Sequence, residues 1–282
     1  MDYKSLDGKT VAISGATGGI GKELCLLLAK SGASLILLDR NPEKSENLEK
    51  DLKAKFPLLK VQRITVDLEN IEAVKSTAKK LSEIPLDALI LNAGAYKIPR
   101  HKCSTGYDNV FQINFVSPYY LARTLMPHIT KNGGKIVAVG SIAHNYSHID
   151  TDDIDFSRRK AASKVYGNAK RYLMFSLYEL FDGNSGLSVS HPGITLTNIT
   201  AHYPKVLYFF IKPLMRIFFM RPKTACLSIF ESLFCDCKKN EWIGPRIFNV
   251  WGKPKKQVLK TCPDAEAAQI SEIADEVYEK IK

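Results

Sequence analysis

The chain has little of what would place it outside the ordinary globular class. It carries six cysteines, Cys25, Cys103, Cys226, Cys235, Cys237 and Cys262, with no C-x-x-C among them. Cys235-Asp236-Cys237 has no second ligand pair at zinc spacing, so no metal site is expected. Scattered thiols of this kind read as reduced side chains of a cytoplasmic protein, several of them core fillers. The opening MDYKSLDGKT carries charges and lacks the apolar core of a secretory leader. The most apolar later stretch, VLYFFIKPLMRIFFM at 206–220, is 15 residues long and is interrupted by Lys212, Pro213 and Arg216. A membrane-spanning helix needs about 20 apolar residues, so this stretch is not expected to cross a bilayer. Internal repeats, linkers and recognisable nucleic-acid modules are also missing.

The chain does have 282 residues, 45% of them hydrophobic, enough for a substantial core in one domain. Lys plus Arg number 40 against 29 Asp plus Glu, a net charge of +11. That balance suits an anionic partner: a phosphorylated cofactor, a nucleic acid or a membrane surface. Much of the excess lies in 205–260, where a solvated basic face is the plainer reading. Without a nucleic-acid module, nucleic acid is not expected as a partner.

Strand and helix patterns alternate along the chain. TVAISG (10–15), SLILLD (34–39), KVQRITVD (60–67), LDALILNAG (86–94), GKIVAVGS (134–141) and LSVSHPG (187–193) read as strands. Helical spacing separates them, at 21–32, 42–56, 71–81, 105–131 and 160–182. Strands that are apolar nearly throughout predict a parallel sheet covered on both faces, a doubly wound α/β (Rossmann) fold. Beyond 193 the pattern loosens into an apolar, basic insertion (195–221). A helix near 222–236, a strand near 246–250 and a terminal helix at 264–281 follow, the last parts of an extension over 237–282. The simplest division is a single nucleotide-binding domain over 1–282.

SGATGGIGK (14–22) joins the first strand to the first helix. Its glycines let the backbone turn tightly and approach a phosphate, and the helix offers the positive end of its dipole. A Walker A loop fails twice, because Ala16 and Glu23 stand where Gly and Ser/Thr are required. G-x-G-x-x-G fails at Leu24. G-x-x-x-G-x-G fits at Gly15, Gly19 and Gly21, with Thr17 and Ile20 inside the loop. Asp39 ends the second strand. It suits the adenosine ribose hydroxyls of NAD and repels a 2′-phosphate, or else caps the helix at Pro42. Arg40 follows and could reach a 2′-phosphate, so NAD is favoured and NADP stays open. Asp67 and Leu68 would lie along the adenine edge.

These features, with Asn92-Ala93-Gly94, Asn114, Ser141, Tyr166-x-x-x-Lys170 and HPGITLT (Pro192, Gly193, Ile194, Thr197), resemble the short-chain dehydrogenase/reductase family. The closest likeness is to its retinol-dehydrogenase-like branch. GSIAHNYSHIDTDDIDF (140–156) and CDCKKNEWIGPR (235–246) carry that finer similarity. The chain departs from the family at Leu91, where a second Asn is frequent, at Gly140, where a Ser is frequent, and at Asp39, where the branch often has a basic residue.

The resemblance implies hydride transfer between a nicotinamide and an alcohol or carbonyl carbon. Tyr166 would be the acid/base, and Lys170, one helical turn away, would lower its pKa and bind the nicotinamide ribose. Ser141 would bond the substrate oxygen, Asn114 would support a water relay, and Thr197 would contact the nicotinamide amide or a phosphate. Each has a plainer alternative: a solvated Tyr–Lys pair, a strand-end cap, a backbone-satisfied amide and a turn hydroxyl. His144 reads as a surface-loop histidine or as part of the substrate pocket. The insertion falls where the family places its lid, and its greasiness suggests a steroid, retinoid or lipid-like substrate. A dimer contact, or a membrane contact through 204–221, remains open for the same segment. The competing function is a cofactor-binding regulator or scaffold without turnover.

Overall fold

The computed structural model of the chain describes residues 4–182, 185–195 and 219–282. Eight strands form one sheet: β1 (Thr10–Ser14), β2 (Ser34–Asp39), β3 (Val61–Thr65), β4 (Ala88–Leu91), β5 (Lys135–Val139), β6 (Leu187–Ser190), β7 (Glu241–Ile247) and β8 (Trp251–Val258). Their order is β3-β2-β1-β4-β5-β6-β7-β8. Every neighbouring pair is parallel except β7 and β8.

The helices are α1 (Gly19–Lys30), α2 (Pro42–Lys55), α3 (Ile71–Ser82), α4 (Asn109–Phe111), α5 (Ser117–Lys131), α6 (Ala162–Leu180), α7 (Pro222–Ser232) and α8 (Asp264–Ile281). Alternate strand residues go to opposite faces, and here both sets are apolar. Ala12, Ile36, Leu38, Leu89 and Leu91 join a core with α3, α5, α6 and α8. Val11, Ile13, Leu35, Leu37 and Ile90 join another with α1, α2 and α7. This two-sided burial is why the strands read as unbroken apolar runs. β1 lies between β2 and β4, so the chain leaves it in one direction and returns on its other side. The loops after β1 and β4 therefore diverge and open a crevice at their carboxyl ends.

Several boundaries differ from the sequence reading. The helix expected from 105 starts at Asn109 and passes through a π turn, Gln112–Val116. The third strand stops at Thr65 and the sixth at Ser190, so Asp67 and Pro192 lie in loops. The strand expected near 246–250 begins earlier, as β7, and ends at Ile247, and 248–250 is the turn of the β7–β8 hairpin. Phe248 and Asn249 both have positive φ, 50° and 57°, as a tight primed turn requires. The usual Asn-Gly signal is missing there, which hides the antiparallel edge strand. Most of the 195–221 insertion lies outside the described residues. Among the described residues no helix is long and apolar enough to cross a membrane.

The C-terminal extension is fastened to α6 by a buried ion pair. Arg171, 1% exposed, donates to both carboxylate oxygens of Glu266 at 2.6 Å and to the Thr261 carbonyl at 2.8 Å. Burial works to raise the Glu266 pKa, but the Arg171 contact overrides it and leaves the carboxyl below its ordinary range. Removing one partner would strand the other charge in the core. Glu266→Ala is therefore expected to cost about 3 kcal/mol or more in urea unfolding. An unchanged midpoint would show that the pair contributes nothing beyond an apolar contact.

Candidate active site

The crevice is a cavity of about 710 Å³ over the carboxyl ends of β1, β2, β4, β5 and β6. It gathers nearly every residue singled out in the sequence. Gly15, Thr17, Gly19, Ile20, Gly21, Asp39, Arg40, Asp67 and Leu68 line one end. Asn92, Ala93, Gly94, Ser141, Tyr166, Lys170, Pro192, Gly193 and Ile194 line the other. Asn114 lies behind the wall, and Thr197 is outside the described residues.

The glycine loop is built for close approach. A Cβ on Gly21 would fall 2.2 Å from the Gly15 carbonyl oxygen, so the turn into α1 tolerates no side chain there. α1 begins with no side-chain cap and no acidic residue in its first turn, which leaves its dipole end to an external anion. Asp39 is 4% exposed. Its Oδ1 accepts from the Thr17 amide and hydroxyl, both at 2.9 Å, and its Oδ2 from Ser45 at 3.2 Å. The helix-cap alternative for Asp39 is not what forms: Asn41 caps α2, accepting from the Lys44 amide at 2.8 Å. Arg40 leans away toward Glu69, 3.9 Å off.

At the other end Tyr166 and Lys170 stand one turn apart on α6. Lys170 is 2% exposed and donates to the Val139 carbonyl at 2.8 Å. Its Nζ lies 5.8 Å from the centre of the Tyr166 ring. Ser141 ends β5. Its hydroxyl oxygen accepts from the Ala143 amide at 3.2 Å, capping the 3₁₀ turn Ile142–Tyr146. The cap reading therefore holds, and it leaves the Ser141 O–H proton to the cleft, where it bonds the Tyr166 oxygen. Asn114 also follows its plainer reading, bonding Ala95 N and O and the Val110 carbonyl. Its amide reaches the Val110 carbonyl from within the π turn.

The expected fall in the Tyr166 pKa is not seen. Burial pushes the phenol up to about 12, with a hydrogen bond to Ser141 pulling it down and Tyr96 adding to the rise. The ring is only half-buried, so water at the cleft relieves part of that rise. Burial pulls Lys170 down to about 8. In the chain alone, burial sets the direction of both shifts.

Several residues of the site go unrecognised in the sequence. Gly167 sits inside α6, where Gly costs about 1 kcal/mol relative to Ala. A Cβ there would meet the Ala143 carbonyl oxygen at 2.2 Å. The gap lets the Ser141 turn pack on α6 beside Tyr166, and a glycine inside a helical pattern is the available signal. Tyr96 packs edge-on against Tyr166, with centroids 5.5 Å apart. His144 is neither on the surface nor in the cleft. It is fully buried, 2.6 Å from the Ser141 carbonyl and 2.7 Å from the Thr261 hydroxyl. The carbonyl only accepts, so Nδ1 carries the proton. Burial holds the His144 pKa at about 4, which keeps the ring neutral.

A model of the short chain dehydrogenase family matches residues 9–151, just over half of the chain. The chain belongs to the short-chain dehydrogenase family. Human retinol dehydrogenase 13 is 31% identical over 206 residues, 70% of this chain, and places the short-chain dehydrogenase in the retinol-dehydrogenase-like branch. The match spans 62% of that relative's length. The fold is shared with the crystal structure of an uncharacterized Mycobacterium paratuberculosis protein: TM-score 0.76, 23% identity, covering 99% of this chain and 96% of that one. A Burkholderia phymatum short-chain dehydrogenase/reductase in complex with NAD has TM-score 0.60 and 20% identity, over 82% and 87% of the two chains. A Sphingobium yanoikuyae short-chain dehydrogenase in complex with NADPH has TM-score 0.56 and 24% identity, over 68% and 74%.

Proposed function

We propose that the cleft binds NAD and interconverts a hydrophobic alcohol and its carbonyl, with Tyr166 as acid/base. The observation that carries this reading is the convergence of Ser141, Tyr166 and Lys170 on one cavity wall, opposite a glycine loop that excludes side chains. The cofactor supplies the hydride acceptor or donor. Gly15, Gly19 and Gly21 would cradle its diphosphate, Asp39 its adenosine ribose, Asp67 and Leu68 its adenine, and Asn92, Ala93, Gly94, Pro192, Gly193 and Ile194 its nicotinamide half.

Ser141 turns its hydroxyl proton from Tyr166 to the substrate oxygen and fixes that atom beside the Tyr166 hydroxyl. In the reducing direction Tyr166 gives its proton to the developing alkoxide. A phenol held protonated by burial is ready for that step. In the oxidising direction the phenolate must form, and the positive charge of Lys170 favours it. Asn114 holds Ala95 and the π turn behind Lys170, and a water relay through it remains part of the proposal. Ile142, Ala143, Tyr146, Ile194 and Phe219 surround the reacting end with largely apolar surface. That surface, with the greasy insertion, supports a steroid, retinoid or lipid-like substrate. The similarity to a retinol dehydrogenase agrees with it.

The NAD preference follows from charge. A 2′-phosphate would meet the Asp39 carboxylate, while Arg40 leans toward Glu69. We expect kcat/KM with NAD to exceed that with NADP by about tenfold or more, about 1.4 kcal/mol, across alcohols and ketones of graded size. Asp39→Ser should narrow the ratio. A strong NADP preference would overturn the role given to Asp39, and turnover of only small polar alcohols would overturn the substrate class. A scaffold without activity would turn over none of them.

A further inference from the structure

Beyond the rim of the cleft, three side chains of different chemistry converge. Glu69 follows β3, and His101 and Cys103 lie in the loop between β4 and α4. Each offers one ligand atom, and these atoms all lie within 4.8 Å of one another. Glu69 Oε2 is 3.0 Å from His101 Nε2. Zinc bonds of about 2.0–2.3 Å set tetrahedral ligand atoms roughly 3–4 Å apart, so small side-chain rotations suffice to bring all three around one ion. We infer that Glu69, His101 and Cys103 form a binding site for a divalent cation of the zinc class, with its fourth position open to water.

The donor set decides the class of ion. Magnesium and calcium take oxygen ligands, whereas a thiolate and an imidazole beside one carboxylate suit zinc or cobalt. The loop that carries two of the ligands is held in place. The Cys103 amide donates to the Tyr107 carbonyl at 2.8 Å, and the Gly106 amide to the Cys103 carbonyl at 2.9 Å. Buried Asn109 donates its amide N–H to the His101 carbonyl at 2.9 Å and sets its side-chain nitrogen 3.1 Å from His101 Nδ1. A metal-bound histidine donates its second N–H to an acceptor, so Asn109 must present its amide oxygen there and release the Pro99 carbonyl that its nitrogen now holds at 3.0 Å.

Burial, with the carboxylates of Glu69, Asp108 and Asp67, pushes the Cys103 thiol up to about 11, so the free site holds it protonated, while the same carboxylates attract a cation to the sulfur. Arg40 approaches the other Glu69 oxygen, Oε1, and leaves Oε2 facing His101. On loading, Cys103 releases its proton to solvent. The imidazole moves its single proton from Nε2 to Nδ1, and Asn109 turns its amide oxygen to accept it. The sequence offers no spacing signature, since Glu69 lies in a different segment from the His-x-Cys pair.

Cobalt is the probe. The chelator-treated chain is titrated with Co²⁺ and followed by absorbance. We expect one equivalent to produce a near-ultraviolet thiolate-to-cobalt charge-transfer band that Zn²⁺ then displaces. Cys103→Ser should abolish the band, and Cys103→Ser and His101→Ala should each weaken Zn²⁺ binding by more than about 100-fold. Cys235→Ser and Cys237→Ser should leave the band unchanged. His101 is exposed and Cys103 only half-buried, and unchanged circular dichroism of the variants would show that they fold. A band that never forms, a band that survives Cys103→Ser, or wild-type Zn²⁺ affinity in both variants would overturn the site.

Discussion

Tyr166→Phe is expected to lower turnover by about 10²- to 10⁴-fold, with cofactor binding unchanged in a fluorescence titration. The substitution keeps the ring, and with it the edge-on contact to Tyr96. It removes one oxygen, the atom bonded to Ser141 and placed to pass a proton to the substrate. Neither of the two nearest bases is placed to replace it. Lys170 is turned to the Val139 carbonyl, and His144, neutral and buried, lies behind Ser141. A Tyr166→Phe enzyme that still turned over within a few-fold of wild type would end the proposed mechanism.

Lys170→Met should make the protein more stable and nearly inactive. The ammonium is almost fully buried, and burial lowers its pKa to about 8 from the ordinary 10.5. The unfolded lysine holds its proton up to that higher value. Between the two, the unfolded state binds more protons, so this group adds stability as pH rises. Below about pH 8 the buried charge costs about 3 kcal/mol. Methionine keeps the length of the side chain without the charge, but it leaves the Val139 carbonyl without its donor, a loss of about 1–3 kcal/mol. The variant should therefore melt higher than wild type near neutral pH, and the gap should shrink toward pH 10. A lower melting temperature at pH 7, or a difference that ignores pH, would contradict this account. Turnover should fall alongside, because Lys170 is the cation placed to favour the phenolate.

The parts of this molecule legible in sequence are those set by local rules. Strands buried on both faces read as apolar runs, and glycines at a strand-to-helix turn announce a phosphate loop. Because functional residues of this fold sit at strand ends, Asp39, Asn92, Ser141 and Pro192 are found with the strands. What stays hidden depends on partners distant in sequence. His144 looks like a loop histidine because Thr261, which holds it, comes 117 residues later. The β8 strand escapes notice because Phe248-Asn249 makes its primed turn without glycine. The Glu69–His101–Cys103 cluster needs two separate loops to meet. The shift of the Tyr166 pKa has the opposite sign to the one expected, since the Tyr-Lys spacing displays the neighbouring cation and says nothing of the burial that drives the rise.

The turn carrying Ser141 is anchored by residues from the far end of the chain, through His144 to Thr261 and Arg171 to Glu266. A ribosome adding about 5–20 residues per second delivers Thr261 roughly 6–24 seconds after His144, from the 117 residues between them. The glycine loop and its neighbouring strands can already be paired by then. The anchors of the Ser141 wall are thus made after Pro222–Ser232, the helix that completes the core behind the glycine loop, so the Ser141 wall is the later of the two ends to receive all its contacts.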